Sequence, residues 1–172
     1  MVWKTTLSIM LLLSSFMALH AQNSKAYEIN EYLALGSNKQ ATVQVKSNKS
    51  AATATTPLQV LAYDLVPTVF IENGEIKSFD EQSPIKAELE FNSFNVLSNA
   101  NPLFKNVELL VIKLNEENQL ISSLDFSTIN SFNSLKYVYF ICPFNCSRSQ
   151  IENLSKGLPL GTVLLYSSSI PE

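Results

Sequence analysis

Histidine is almost missing from this chain, since the only one among 172 residues is His20. Imidazole is the usual base of Ser-His-Asp and Cys-His catalytic pairs and a frequent ligand of zinc, copper and iron. Glycine is also scarce, and its four positions, 36, 74, 157 and 161, are too widely spread for a glycine-rich phosphate-binding loop. These absences predict a protein that is not an enzyme and that needs no cofactor or metal.

Basic residues are outnumbered as well, because 12 lysines and arginines stand against 15 acidic residues, for a net charge of −3. This balance predicts no nucleic-acid partner. Charged residues make up 16% of the chain and hydrophobic residues 46%, a composition typical of folded proteins and not of disordered ones. The length suits one domain of ordinary size.

The segment 1–21 has the composition of a secretory signal peptide. Lys4 supplies a positive charge, residues 7–19 form an apolar run, and Ala21 is the small residue expected at a cleavage position. The run is shorter than the ~20 residues that cross a bilayer, although an uncleaved membrane anchor is the alternative. Cleavage after Ala21 predicts a secreted or periplasmic protein with no membrane span, and it removes His20.

The rest of the chain divides into two parts. Residues 22–56 are expected to form a flexible N-terminal segment or linker, because their Ser, Thr and Ala stretch has little apolar area to bury. Residues 57–172 are expected to form a single globular domain. In it, Asn73-Gly74 between two strand-like runs predicts a β-hairpin with a type I′ turn.

A strand with one solvated face is predicted by the alternating apolar and charged residues of 85–91. Glu88 and Glu90 share the polar face of this strand. Paired carboxylates of this kind are either ordinary surface charges or ligands of a cation.

The C-terminal part of the chain contains a sequence repeat. The segment 104–115 aligns with 132–143, and a second shift of the same length aligns it more weakly with 160–171. The first copy carries Val107, Leu110, Ile112 and Asn115 at the spacing L-x-x-L-x-L-x-x-N.

The segment 104–170 therefore resembles a leucine-rich-repeat protein. That resemblance implies an α/β fold in which βαβαβ units form a short, mostly parallel sheet, preceded by the β-hairpin region. An ordinary α/β layer with evenly spaced strands is the alternative.

The connections between these strands are predicted to be helical. Apolar residues three apart predict a helix over 125–132. A second helix is predicted over 147–157, begun by a capping box at Ser147 or Ser149 and ended at Gly157. Strands separated by such helices pair in parallel through right-handed crossovers.

Cys142 and Cys146 are the only cysteines. In its strand, Cys-Pro-x-x-Cys and helix order, the segment 139–146 resembles the thiol motif of the copper-handling, thioredoxin-like assembly factors of cytochrome oxidase. That family implies a motif near the start of a domain and a distant histidine as third ligand, whereas here only the segment 147–172 follows the motif and cleavage removes His20. We predict a disulfide in an oxidising compartment; free thiols and a redox or metal site are the alternatives.

These observations favour a secreted, non-catalytic interaction module whose partner is an unknown protein or glycan. The alternative is a small periplasmic thiol-disulfide or metal-handling protein that uses Cys142 and Cys146.

Overall fold

The computed structural model describes residues 25–40, 57–79 and 82–169 of the chain. Its centre is a seven-stranded, mostly parallel sheet. The predicted α/β fold is therefore confirmed. The signal peptide predicted for residues 1–21 lies outside the described residues, as do residues 41–56 of the predicted linker, and both stay predictions.

The sheet runs in the order β3-β2-β4-β5-β7-β9-β1, and only the β2–β3 pair is antiparallel. Two short strands, β6 and β8, form a separate parallel pair. The strands are Ala26–Glu28 (β1), Thr68–Glu72 (β2), Glu75–Ser78 (β3), Lys86–Glu90 (β4), Leu109–Lys113 (β5), Leu124–Asp125 (β6), Tyr137–Cys142 (β7), Ser155–Lys156 (β8) and Val163–Ser168 (β9). The α-helices are Ile29–Gln40 (α1), Pro57–Tyr63 (α2) and Arg148–Leu154 (α3).

The β2–β3 hairpin is confirmed at the predicted place. Asn73 and Gly74 both have positive φ, 53° and 78°, which is the backbone that a type I′ turn requires. The Gly74 N–H donates to the Ser93 hydroxyl at 2.9 Å, and the Asn73 N–H donates to the Glu90 carboxylate at 3.3 Å. The turn is therefore held against the end of β4 and the segment that follows it.

The repeat spacing is correct for one step of the sheet and wrong for the next. Leu110 of β5 aligns with Val138 of β7, as the repeat predicts. Phe104 and Phe132, at the same spacing, stack with ring centroids 4.8 Å apart. Val138 then aligns with Leu164 of β9, whereas an exact repeat would align it with Tyr166, because the connection through α3 is shorter.

One face of the sheet is covered by the connections between strands. Apolar residues of β2, β4, β5, β7 and β9 form one core with side chains from the segments that join them. The largest completely buried members include Phe104, Phe126, Phe140, Leu97 and Ile151. All the connections that carry these residues therefore pack on the same side of the sheet.

Most of these connections are 3-10 turns rather than α-helices. The helix predicted over 125–132 is a single turn, Phe126–Thr128. The Asp125 carboxylate accepts from the Ser127 N–H, and the Thr128 hydroxyl donates to the Asp125 carbonyl. The Asp125 side chain is thus the N-cap that begins the turn, and the turn ends at Ile129, whose backbone angles (φ −89°, ψ 70°) are not helical.

The second predicted helix does form, as α3. It starts at the predicted capping box, in which Ser147 accepts from the Gln150 N–H and the Gln150 side chain accepts from the Ser147 N–H. It ends at Leu154, earlier than predicted, because Ser155–Lys156 pairs with Leu124–Asp125 as β8.

The opposite face of the sheet is covered by α1 and α2 over only part of its width. Ile29, Leu58 and Leu61 of the two helices pack on apolar residues of β5, β7 and β9. This places residues 25–40 in the fold and corrects the prediction that they belong to a flexible segment. The reason is that Ala26 and Ile29 are 0% and 1% exposed, and β1 adds to the sheet beside β9.

Candidate functional site

The part of the sheet that α1 and α2 leave uncovered is the candidate binding site. It comprises β2, β3 and β4 on the face opposite the connections. We call it the open face and define it by Phe70, Glu72, Glu75, Lys77, Glu88 and Glu90. These side chains are exposed or half-buried, whereas Val111 and Tyr139, in the neighbouring strands on the same face, are buried under the helices.

Strand alternation creates the open face. In β4, Ala87 and Leu89 point into the core and are completely buried. Their neighbours Lys86, Glu88 and Glu90 must then point to the other side, because successive side chains of a strand alternate. The predicted strand with one polar face is therefore confirmed.

Glu88 is the electrostatic centre of the open face. Its carboxylate lies 3.4 Å from Lys86 Nζ and 2.6 Å from Lys113 Nζ. Burial alone would raise the pKa of Glu88, but the hydrogen bond and charge of Lys113, together with Lys86, hold the pKa below its ordinary value. Glu88 therefore stays ionised between two ammonium groups.

This arrangement argues against the cation site considered for Glu88 and Glu90. Glu88 already has two cationic partners, and Glu90 accepts the Asn73 N–H of the hairpin turn. Both carboxylates therefore have structural partners that a metal ion would have to displace.

The open face also carries an aromatic pair at its border. The rings of Phe70 and Phe79 lie 6.0 Å apart at an interplanar angle of 52°, within the usual range for an attractive pair. Phe79 remains 80% exposed. Aromatic side chains are enriched in protein-binding surfaces relative to the rest of a protein's surface.

The sequence gives no direct signal for two of these features. Lys86 is 8% exposed although lysine is rarely buried, and only the register of β4 against β5 shows that Lys113 reaches Glu88. Phe79 looks like an ordinary core residue of a strand. Phe79 is exposed because it follows β3, which is the edge strand of the sheet.

Cys142 and Cys146 lie in the core, on the face of the sheet that the connections cover. Cys142 ends β7 and is 0% exposed, while Cys146 precedes α3 and is 5% exposed. The two residues are free cysteines whose side chains approach to 2.6 Å. The loop that contains Pro143 therefore brings the two side chains together, and the predicted disulfide stays a prediction.

Neither thiol has the properties of a reactive cysteine. Burial raises the pKa of Cys142 far above its ordinary value, and the hydrogen bond and charge of Cys146 raise it further. Burial also raises the pKa of Cys146, although hydrogen bonds with Cys142 and Ser168 oppose the shift. Reactive cysteines have lowered pKa values and partial exposure, so this environment suits a structural pair.

The loop between the cysteines is hydrogen-bonded to β9. The Cys146 N–H donates to the Ser168 hydroxyl at 3.2 Å, and that hydroxyl donates to the Phe144 carbonyl at 3.1 Å. These bonds hold the loop in place whether or not the sulfur atoms are bonded.

Other kinds of site can be assessed for the described part of the chain. Within residues 25–40, 57–79 and 82–169, no three or more His, Cys, Asp or Glu side chains are grouped to hold a metal ion. None of the helices in those ranges has the length and apolar character needed to cross a membrane.

Comparisons with protein-family models, with curated proteins and with solved structures find no match for this chain.

Proposed function

We propose that this protein is a secreted, non-catalytic binding module and that its open face contacts a partner protein. The observation that carries the proposal is that, among the described residues, the helices on one face cover only part of the sheet. One face is buried by the connections, while the other exposes Phe70, Phe79 and a set of charged side chains. A partner on these residues would bury aromatic surface at the border of the open face and pair with its charged side chains.

The repeat-like architecture supports the same role. Ala87 aligns with Leu110, Leu110 with Val138, and Val138 with Leu164, and each interval falls within the ~20–29 residues of a leucine-rich repeat. Parallel strands that follow one another along the sheet, with all connections on one side, are the build of these proteins. We propose that the chain is a short relative of this architecture, which uses extended surfaces for binding.

Secretion is part of the proposal and rests on the segment 1–21. Its charged start, apolar run and Ala21 fit a cleaved signal peptide. Mass spectrometry of the exported protein is expected to give an N-terminus at Gln22. A product that retains Met1 would overturn this part.

The environment of the cysteines favours binding over the alternative of thiol-disulfide or metal chemistry. Both sulfur atoms are buried, their pKa values are raised, and after cleavage no histidine remains to act as a third ligand. We propose that Cys142 and Cys146 form a structural disulfide in the exported protein.

The binding proposal is tested by site-specific photo-crosslinking in the cells that make the protein. A photoreactive residue replaces Glu72 or Phe79 on the open face, or Ile121 as control, which is 90% exposed on a connection. We expect one protein adduct, identified by mass spectrometry, from the two open-face positions and none from Ile121. Equal adducts from all three positions would contradict the proposal, as would a glycan in place of a protein.

A further inference from the structure

We infer that strand β3 is a self-recognition edge, on which a second copy of this chain pairs antiparallel about a two-fold axis at Ile76. The edge of the sheet is a second surface, in addition to the open face on which a partner is proposed. Among the described strands, β3 pairs with β2 alone. Its second side is therefore free of any of those strands.

The hairpin register shows which main-chain groups point outward. Glu72 and Glu75 flank the two-residue turn and form its closing pair, and Ile71 lies opposite Ile76. Hydrogen-bonded and non-hydrogen-bonded pairs alternate in an antiparallel ladder. Ile76 therefore belongs to a non-hydrogen-bonded pair, and its N–H and C=O point away from β2.

A second copy satisfies both of these groups at once. When two antiparallel β3 strands meet with Ile76 opposite Ile76, each residue donates its N–H to the carbonyl of the other. This is the closed, self-complementary contact expected of a two-fold interface.

The charges of β3 select this register. With the axis at Ile76, Glu75 of each copy lies opposite Lys77 of the other. With the axis at Glu75 two glutamates would meet, and with the axis at Lys77 two lysines would meet. Opposite charges directly across a strand pair stabilise it and like charges destabilise it.

The charged groups of Glu75 and Lys77 are exposed enough to contact a second copy. Within one chain, Lys77 Nζ lies 3.1 Å from Glu75 Oε2, and the two side chains are 47% and 70% exposed. An exposed pair of this kind contributes little to the stability of a single chain. In the two-fold arrangement the same side chains form a ring of four alternating charges. Charged residues that usually protect an edge strand from pairing thus favour one specific pairing.

The length of β3 limits the strength of the contact. Glu75–Ser78 has only 4 residues, so the buried area lies well below that of a stable dimer. The expected dissociation constant is therefore on the order of 100 µM. The second copy would be bound reversibly, at high local concentration.

The test is sedimentation equilibrium of the purified protein across a concentration series. We expect a monomer–dimer equilibrium whose dissociation constant rises about tenfold in E75K and in K77E, because each variant places like charges opposite one another. An equimolar mixture of the two variants is expected to form mixed dimers of nearly the original affinity. The double variant E75K/K77E, which exchanges the two charges, is expected to restore self-association.

The control is K136E, which makes the same charge change as K77E at Lys136, an exposed residue paired with Glu108. It is expected to leave the dimer unchanged. A protein that stays monomeric up to its solubility limit would overturn the inference. So would a dimer that is insensitive to E75K and K77E, or one that K136E weakens equally. None of these results bears on the partner proposed for the open face, because mass spectrometry of the crosslinked adduct distinguishes that partner from a second copy of this chain.

Discussion

Replacing Glu88 by Gln removes the charge that joins Lys86 and Lys113. The Glu88 side chain is 20% exposed and that of Lys86 is 11% exposed, while Lys113 is 42% exposed and reaches water. The main loss of stability therefore comes from the Lys86 ammonium group, which stays buried without its carboxylate partner. At an effective dielectric constant of about 20, two unit charges ~3.4 Å apart attract by ~5 kcal/mol, most of which is offset by desolvation.

We expect Glu88→Gln to lower the free energy of unfolding by about 2 kcal/mol. This value lies between the ~0–1 kcal/mol of exposed ion pairs and the ~3–5 kcal/mol lost when a buried pair is broken. Urea denaturation at neutral pH, followed by circular dichroism, measures it. The control is Glu108→Gln, which breaks the more exposed pair with Lys136 and is expected to cost about 0.5 kcal/mol.

The contribution of Glu88 to stability is expected to decrease as the pH falls. Because the folded protein lowers the pKa of Glu88 from 4.5, this carboxylate stabilises the fold above that pH, and the contribution is lost as the pH falls through the folded pKa. The difference between the original protein and Glu88→Gln should therefore shrink below pH 4.5. A variant as stable as the original protein at neutral pH, or a difference that grows in acid, would refute this reasoning.

Three further predictions concern the connection from β7 to β9. We expect Cys142 and Cys146 to be bonded in the exported protein, so that a thiol count finds no free thiol before reduction; two free thiols would contradict the disulfide. Replacing both cysteines by Ala is expected to lower stability by about 2 kcal/mol without loss of binding. Ser147→Ala removes the N-cap of α3 and should cost about 1 kcal/mol in urea denaturation, whereas no change would show that the cap is dispensable. Gly157→Ala should lower stability by ~1–3 kcal/mol, because Gly157 has a φ of 67° and a Cβ there would lie 3.0 Å from Asp125 Oδ1. An unchanged urea midpoint would argue against this close approach.

Local sequence signals predicted the elements whose residues interact with near neighbours in the chain. Asn73-Gly74 predicts its turn because the two positive φ angles depend only on those residues. The capping box of Ser147 and Gln150 is equally local. The alternation of β4 predicted its buried and polar faces for the same reason.

The sequence was misleading where distant contacts decide the structure. Residues 25–40 lack a clear period, and they join the fold because β1 pairs with β9, the last strand in chain order among those described. The Ala26 N–H also donates to the Glu152 carboxylate, a contact that no local pattern indicates. The apolar spacing of 125–132 suggested a helix, but Asp125 pairs with Lys156 of β8, and only Phe126–Thr128 forms a helical turn.

The candidate site could be predicted only in part. The alternation over 85–91 places Glu88 and Glu90 on one face, but the partners of Glu88 depend on the register between β4 and β5. The extent of the open face depends on how far α1 and α2 cover the sheet. The width of the sheet that the two helices cover is set by tertiary packing, which no sequence pattern indicates.

The most direct test of the open-face proposal is the affinity of the purified protein for the partner that crosslinking identifies. Isothermal titration calorimetry would compare the original protein with Phe79→Ala, on the border of the open face, and Leu160→Ala, a control that is 94% exposed. We expect Phe79→Ala to weaken binding about tenfold, the effect of removing an aromatic anchor, and Leu160→Ala to leave it unchanged. Equal affinities for all three proteins, or a loss confined to Leu160→Ala, would contradict the proposal that the open face is the binding surface.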